Sequence, residues 1–260
     1  MRAYLERPRG HSKTTDLAVM AVWLLAFATR PLRGYSYAAD RDQAALLRDA
    51  VDRIVRLNPW LAELICVDKD KVTNIAKDHP GRDSMLRIET SDVASSYGIL
   101  PDFVIADEFT HWQGDGSLWN SIISSAAKRR TCLLVGISNA GFVDSWQWKI
   151  REAIRQDPAW YFSRVDGPQA SWMSDGRLDE QERLLPNIAF RRLWQNEWSP
   201  SGGDALRPED IEAAFRKELK PFIYREADWD FIAGVDLGLK RDCSAVVTLA
   251  VGRFVQSTPR

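Results

Sequence analysis

Thiols and imidazoles are scarce in this chain of 260 residues: it has three cysteines and three histidines. Cys66, Cys132 and Cys243 lie far apart and form no CxxC pair. That excludes a disulfide framework and a thiolate zinc site, and it fits reduced thiols. His11, His79 and His111 are equally dispersed. Asp107-Glu108-Phe109-Thr110-His111 is not HExxH, so a metalloprotease helix is excluded as well. Charge of one sign is also missing, since 35 basic residues stand against 36 acidic ones. This balance excludes a basic coat over the whole protein but leaves room for a local patch. Nor is there an apolar run of the about 20 residues that a membrane span takes. Leu17 to Ala28 is an unbroken run of twelve, and Ala26-Phe27-Ala28 mimics a signal-peptidase site. Glu6 and Asp16 spoil the basic leader that such a signal needs, so a buried helix is expected there.

What is present is an ordinary globular composition, 45% apolar and 27% charged, with eleven tryptophans for buried aromatic packing. The length suits one large domain or one and a piece. No repeat or low-complexity segment interrupts the chain. Through about residue 142, strand-like and helix-like pieces alternate, the mark of an α/β sheet. Strands are expected near Arg2–Leu5, Tyr35–Ala39, Asp102–Ala106 and Thr131–Ser138, the last two being apolar runs with polar ends, as in buried parallel strands. Asp40 is placed to cap a helix from Arg41 to Leu57. From Val143 to about Lys220 the pattern turns to amphipathic helices rich in Trp and Arg. Phe231–Asp236 and Ser244–Leu249 then read as two further strands.

The segment Arg7-Pro8-Arg9-Gly10-His11-Ser12-Lys13-Thr14 lies between a strand and a helix, where a phosphate-binding loop belongs. Such a loop curls backbone N–H groups around phosphate oxygens, sends a lysine to the β- and γ-phosphates and places a hydroxyl on Mg²⁺. Lys13 and Thr14 fill the last two roles, and the helix N-terminus adds its dipole. The pattern GxxxxGK[ST] is imperfect, with Arg7 and Ser12 in the glycine positions. The second half of such a site is an acidic pair at a neighbouring strand end, one carboxylate for the metal and the next for the attacking water. Phe103-Val104-Ile105-Ala106-Asp107-Glu108 supplies it.

Together these residues resemble the large terminase subunit of tailed double-stranded DNA phages, the motor that packages DNA into a procapsid. Arg9 stands where that family carries an arginine four residues before the lysine of a deviant Walker A loop. Ala38-Ala39-Asp40-Arg41-Asp42-Gln43-Ala44 is similar to its alanine-rich stretch. Thr90-Ser91-Asp92 and Tyr97-Gly98-Ile99-Leu100-Pro101-Asp102 are similar to the run before Walker B. Asp107-Glu108, with Trp112 downstream, matches its acidic motif. Ser138-Asn139-Ala140-Gly141 resembles its coupling motif. Gly234-Val235-Asp236-Leu237-Gly238, followed by Asp242, looks like the opening of its RNase H-like nuclease.

The resemblance implies a P-loop (ASCE-type) ATPase core over 1–142, a helical lid or linker over 143–228, and the first strands of the nuclease over 229–260. It implies ATP bound by Arg9, Gly10, His11, Ser12, Lys13 and Thr14. Mg²⁺ would sit on Thr14 and Asp107, Glu108 would activate water, and Arg9 would act in cis on the transition-state charge. Asp236 and Asp242 would begin a two-metal nuclease site, expected to be incomplete and inactive. Double-stranded DNA, a small terminase subunit, the portal and procapsid, and sister subunits in a ring are the expected partners. The expected place is the host cytoplasm, transiently at the procapsid. Lys128, Arg129, Arg130, Arg191 and Arg192 are candidates for DNA phosphates. Another P-loop translocase such as a helicase, or an inactive prophage remnant, are the alternatives.

Overall fold

The computed structural model of the chain describes residues 1–90, 98–200, 213, 229–236 and 245–252. These fall into two units, Met1–Ala205 and Leu206–Arg260. The first unit opens with β1 (Arg2–Glu6), α1 (Lys13–Ala26), β2 (Arg33–Ala38), α2 (Arg41–Leu57) and the short α3 (Pro59–Ala62). It continues with β3 (Ile65–Val67), β4 (Lys71–Asn74), β5 (Met85–Thr90), β6 (Phe103–Asp107), α4 (Ser117–Ala127) and β7 (Leu133–Ser138). It ends with α5 (Trp146–Gln156), β8 (Trp160–Arg164), α6 (Asp175–Leu184) and α7 (Asn187–Leu193). The eight strands form one sheet in the order β3-β4-β5-β2-β6-β7-β1-β8. It is parallel from β5 through β8 and antiparallel only at β3 and β4.

The strand period of two distributes the core. In β6, Phe103 and Ile105 face a cluster with α1 and α2, including Leu17, Leu25, Leu47 and Val51. Val104 and Ala106 face the other side, with Trp119, Ile122 and Ile154 of α4 and α5 and with Trp160 of β8. Both faces being covered, β6 is buried at every residue. The register also needs Gly34 in β2, since a Cβ there would stand 2.0 Å from the Phe103 ring. The apolar run after Asp16 is α1, buried at Leu17, Ala18, Ala21, Val22, Leu25 and Ala26 but exposed at Val19, Trp23 and Phe27. No helix among the described residues is long and apolar enough to cross a membrane. Asp40 caps α2 by accepting from the Gln43 N–H at 2.8 Å.

The structure corrects the sequence reading in two places. β8 lies inside the stretch 143–228 expected to be helical, and it extends the large sheet by pairing with β1. Its five residues hold Trp160 and Phe162 inward, alternating with Tyr161 and Ser163 before Arg164, too short an alternation to stand out. β3, β4 and β5, none of them expected, add a wing beyond β2. The second unit shows β9 (Trp229–Asp236) paired antiparallel with β10 (Ala245–Gly252). Its apolar residues Phe231, Ile232, Val235, Val246, Val247 and Leu249 are exposed on both faces of the pair.

Candidate nucleotide site

The loop after β1 is held on both flanks. Its first residue, Arg7, donates its N–H to the Ser138 carbonyl at 2.9 Å, and Arg9 donates to the Leu193 carbonyl at 2.8 Å. His11 donates from Nδ1 to the Arg9 carbonyl and accepts the Gln169 N–H on Nε2, both at 3.0 Å, which fixes its neutral tautomer. Trp172 Nε1 donates to the Gly10 carbonyl at 3.0 Å. Ser12 fills a consensus glycine position yet keeps the glycine conformation, with φ +53°. That conformation costs a non-glycine residue roughly 1–2 kcal/mol. Arg7 is not left-handed, so the other missing glycine is not required by the backbone. The N–H groups of Gly10 through Thr14 find no acceptor among the described residues. Consecutive free donors at the start of a 14-residue helix suit an anion. Lys13 Nζ lies 3.3 Å from the carbonyls of Arg7 and Pro8, buried under its own loop.

β6 brings the acid pair to this lysine. Glu108 Oε1 is 3.4 Å from Lys13 Nζ, while Glu108 Oε2 is buried without a partner. Glu108 has φ +46°, a kink that turns its side chain out of the strand line. Asp107 is almost fully buried, and burial first, then the Glu108 charge, push its carboxyl up to about 7, against the Glu108 N–H and Lys13. A carboxyl so raised binds its proton in the folded state but not in the unfolded one between pH 3.8 and about 7. Stability is therefore lost as pH rises across that window, by up to about 4 kcal/mol at 1.36 kcal/mol per pH unit. Asp107→Asn is expected to remove this loss. Melting curves of the nucleotide-free pair should diverge in favour of the variant from pH 5 to pH 8, and parallel curves would refute the assignment. Carboxylate oxygens such as those of Asp107 and Glu108 are the donors that a hard cation prefers. No group of three or more His, Cys, Asp or Glu among the described residues forms a self-sufficient metal cluster.

Behind the acids, the tetrapeptide that starts at the last residue of β7 is buried at Ser138, Asn139 and Ala140. Thr110, not singled out in the sequence, closes a ring with it. Its N–H donates to Ser138 Oγ at 3.1 Å, the two hydroxyls lie 2.6 Å apart, and its own hydroxyl donates to the Asn139 carbonyl at 3.1 Å. Asn196, also missed, is buried with φ +58°. Its Oδ1 accepts the Ala140 N–H and its Nδ2 donates to the Val165 carbonyl, each at 2.8 Å. A Cβ on Gly141 would stand 2.9 Å from Trp198 and 3.1 Å from Thr110, so glycine is required there. His111 stood in the sequence only as one of three dispersed histidines, with no role assigned. Burial holds its pKa down against the Glu108 charge, with Arg192, Lys13 and Arg9 acting in the same downward sense.

The basic candidates divide. Arg129 pairs with Asp102 at 3.2 Å and Arg191 with Glu197 at 2.7 Å, while Arg192 lies 4.2 Å above the Phe142 ring. Arg9 is exposed beside the loop. Asp236 ends β9, in register with Ala245. Asp242 lies outside the described residues.

A parallel sheet with a lysine-bearing loop after one strand and an acid pair two strands away defines the P-loop nucleoside triphosphatase class. Residues 1–147 match the family model for the terminase large subunit, ATPase domain, and the chain belongs to that family. A comparison with curated protein sequences found no match. Among solved structures, the HK97 bacteriophage large terminase has a TM-score of 0.63 at 20% identity, over 95% of this chain and 56% of that one. The ATPase domain of the Thermus phage P74-26 large terminase gives 0.61 at 20% identity, over 76% and 88%. The large terminase of a thermophilic bacteriophage, solved with ADP, gives 0.61 at 13% identity, over 96% and 60%. At these identities the likeness is one of fold. The chain spans little more than half the length of the HK97 protein.

Proposed function

We propose that the chain hydrolyses ATP with Mg²⁺ and drives double-stranded DNA movement as the ATPase of a phage packaging motor. The observation that carries the reading is Lys13, buried beneath its loop with its ammonium 3.4 Å from Glu108. The free N–H groups from Gly10 to Thr14 take the phosphates, and Lys13 turns to the γ-phosphate. That turn breaks its contact with Glu108, whose carboxylate is then free to orient water. The water oxygen forms its bond to the γ-phosphorus as the bond to the bridging oxygen breaks, the water proton passing to Glu108 or the phosphate. Thr14 and Asp107 would hold Mg²⁺, which would supply charge neutralisation at the phosphates and favour the ionised form of Asp107. The large terminase that shares this fold has been solved with ADP and with ATP-γ-S. The Ser138–Gly141 segment, tied to Thr110 on one side and to Asn196 on the other, is the route by which hydrolysis reaches the rest of the motor. In the second unit, a strand pair apolar on both faces suits the interior of a larger sheet, as an RNase H-like domain begins, with Asp236 at its first strand end.

The test is steady-state hydrolysis by the purified chain, with and without double-stranded DNA. Mg²⁺-dependent turnover, stimulated by DNA and lost in Lys13→Ala, is the expected result. Turnover that survives Lys13→Ala would place the activity elsewhere, and a folded chain without turnover in either condition would refute the reading.

A further inference from the structure

Among the described residues four buried polar side-chain atoms lack a partner, and three of them belong to residues around this site: Glu108 Oε2, Arg192 Nε and Trp194 Nε1. Arg192 is the unusual one. Its guanidinium lies 4.2 Å above Phe142, the residue directly after the Ser138–Gly141 segment. The next residue, Leu193, accepts the Arg9 N–H at 2.8 Å. Trp194 would stand 3.9 Å from a Cβ on Gly10. The last turn of α7 therefore lies between the phosphate loop and the segment after β7. Burial pulls the Arg192 guanidinium down, and no carboxylate offsets it. His111, three residues after Glu108, feels Arg192 together with Lys13 and Arg9. A half-buried arginine between the phosphate loop and the Ser138–Gly141 segment, with no carboxylate partner among the described residues, is a cation placed for an anion that the chain does not supply.

We infer that Arg192 is the chain's own arginine for the γ-phosphate, so that the end of α7 engages a triphosphate and not a diphosphate. The inference rests on the ATPase reading and assigns to α7 a role that the sequence pointed toward Arg9. A guanidinium donates in a fork that suits phosphate oxygens. The γ-phosphate is the anion that distinguishes substrate from product. Engagement through Arg192 draws on Phe142 and, through the chain from Trp194 to Asn196, on Ala140.

Binding of ATP-γ-S and of ADP, each with Mg²⁺, to wild type, Arg192→Ala and Arg192→Lys separates the outcomes. Arg192→Ala is expected to weaken ATP-γ-S roughly ten- to a hundredfold, the span of one charged hydrogen bond, and to leave ADP within about twofold. Arg192→Lys, which keeps charge without the fork and guards against misfolding of the alanine variant, is expected to fall between. Arg183→Ala, on α6 with no buried residue, should match wild type. Equal loss for both nucleotides would make Arg192 a structural residue, and unchanged affinities would remove it from the site. Either result overturns the inference while the ATPase reading stands. Wild type that binds neither nucleotide would overturn both.

Discussion

Glu108→Gln is expected to lower kcat by about 10²–10⁴, the usual contribution of a positioned base, while ATP-γ-S binds at least as tightly as to wild type. The two effects have opposite signs for one reason. In the free site Glu108 competes for the Lys13 ammonium at 3.4 Å, and its charge is the second cause of the raised Asp107 carboxyl. Glutamine keeps the shape but removes the charge, so Lys13 turns to the γ-phosphate without leaving a carboxylate behind. Asp107 also ionises more readily and holds Mg²⁺ better. The missing function is the acceptor that aligns water. Single-turnover hydrolysis beside equilibrium binding reads both quantities. Turnover within tenfold of wild type would mean that another group activates water, with His111 next to be examined. Weaker binding would mean that the Lys13–Glu108 contact supports the loop rather than restraining it.

That pair was legible in the sequence because its parts are local. A strand of four apolar or small residues, Phe103–Ala106, ends in two acids, and a lysine-threonine pair opens a helix. α2 was legible to the residue, since Asp40 and the apolar period fix both its start and its face. The missing glycines were misleading in a physical sense: Ser12 takes the left-handed conformation that the consensus glycine provides, and Arg7 does not need it. What could not be read depends on distant pairing. β8 finds β1 across more than 150 residues. Arg192 and Asn196 acquire meaning only when α7 and the following turn fold back onto the loop and the segment after β7. Thr110 lay inside the quoted acidic motif, and its spacing of three from Asp107 was the one available signal. A single sequence contains no statement of such contacts beyond polar residues in an otherwise amphipathic stretch.

Disrupting the buried pair beneath the phosphate loop is expected to be the most damaging change to stability in the first unit. Glu6 is fully buried at the end of β1, one residue before the loop. Arg151 of α5 grips it with Nε at 2.7 Å and Nη2 at 2.9 Å, and Trp198 Nε1 donates to Glu6 Oε1 at 3.1 Å. The guanidinium is enclosed by Trp148 and Phe162, 5.1 and 4.9 Å from their ring centres. Burial alone pulls the Arg151 pKa down, but the bonds and charge of Glu6, followed by those of Glu152, raise it above the ordinary arginine value. Arg151→Met leaves a carboxylate in the core with Trp198 and the more distant Arg164 as its remaining partners, a loss of about 3–5 kcal/mol. For a unit of this size that lowers the melting temperature by roughly 6–20 °C. Glu6→Gln alone leaves the arginine charged and half satisfied and is expected to cost nearly as much. The double variant, Glu6→Gln with Arg151→Met, is expected to recover most of the loss, because no buried charge remains and the aromatic enclosure accepts an apolar chain. Thermal melts of the four proteins decide the matter. Losses that simply add would show that the two residues act separately. A recovered double variant would show that the charges hold the base of the loop mainly by requiring each other.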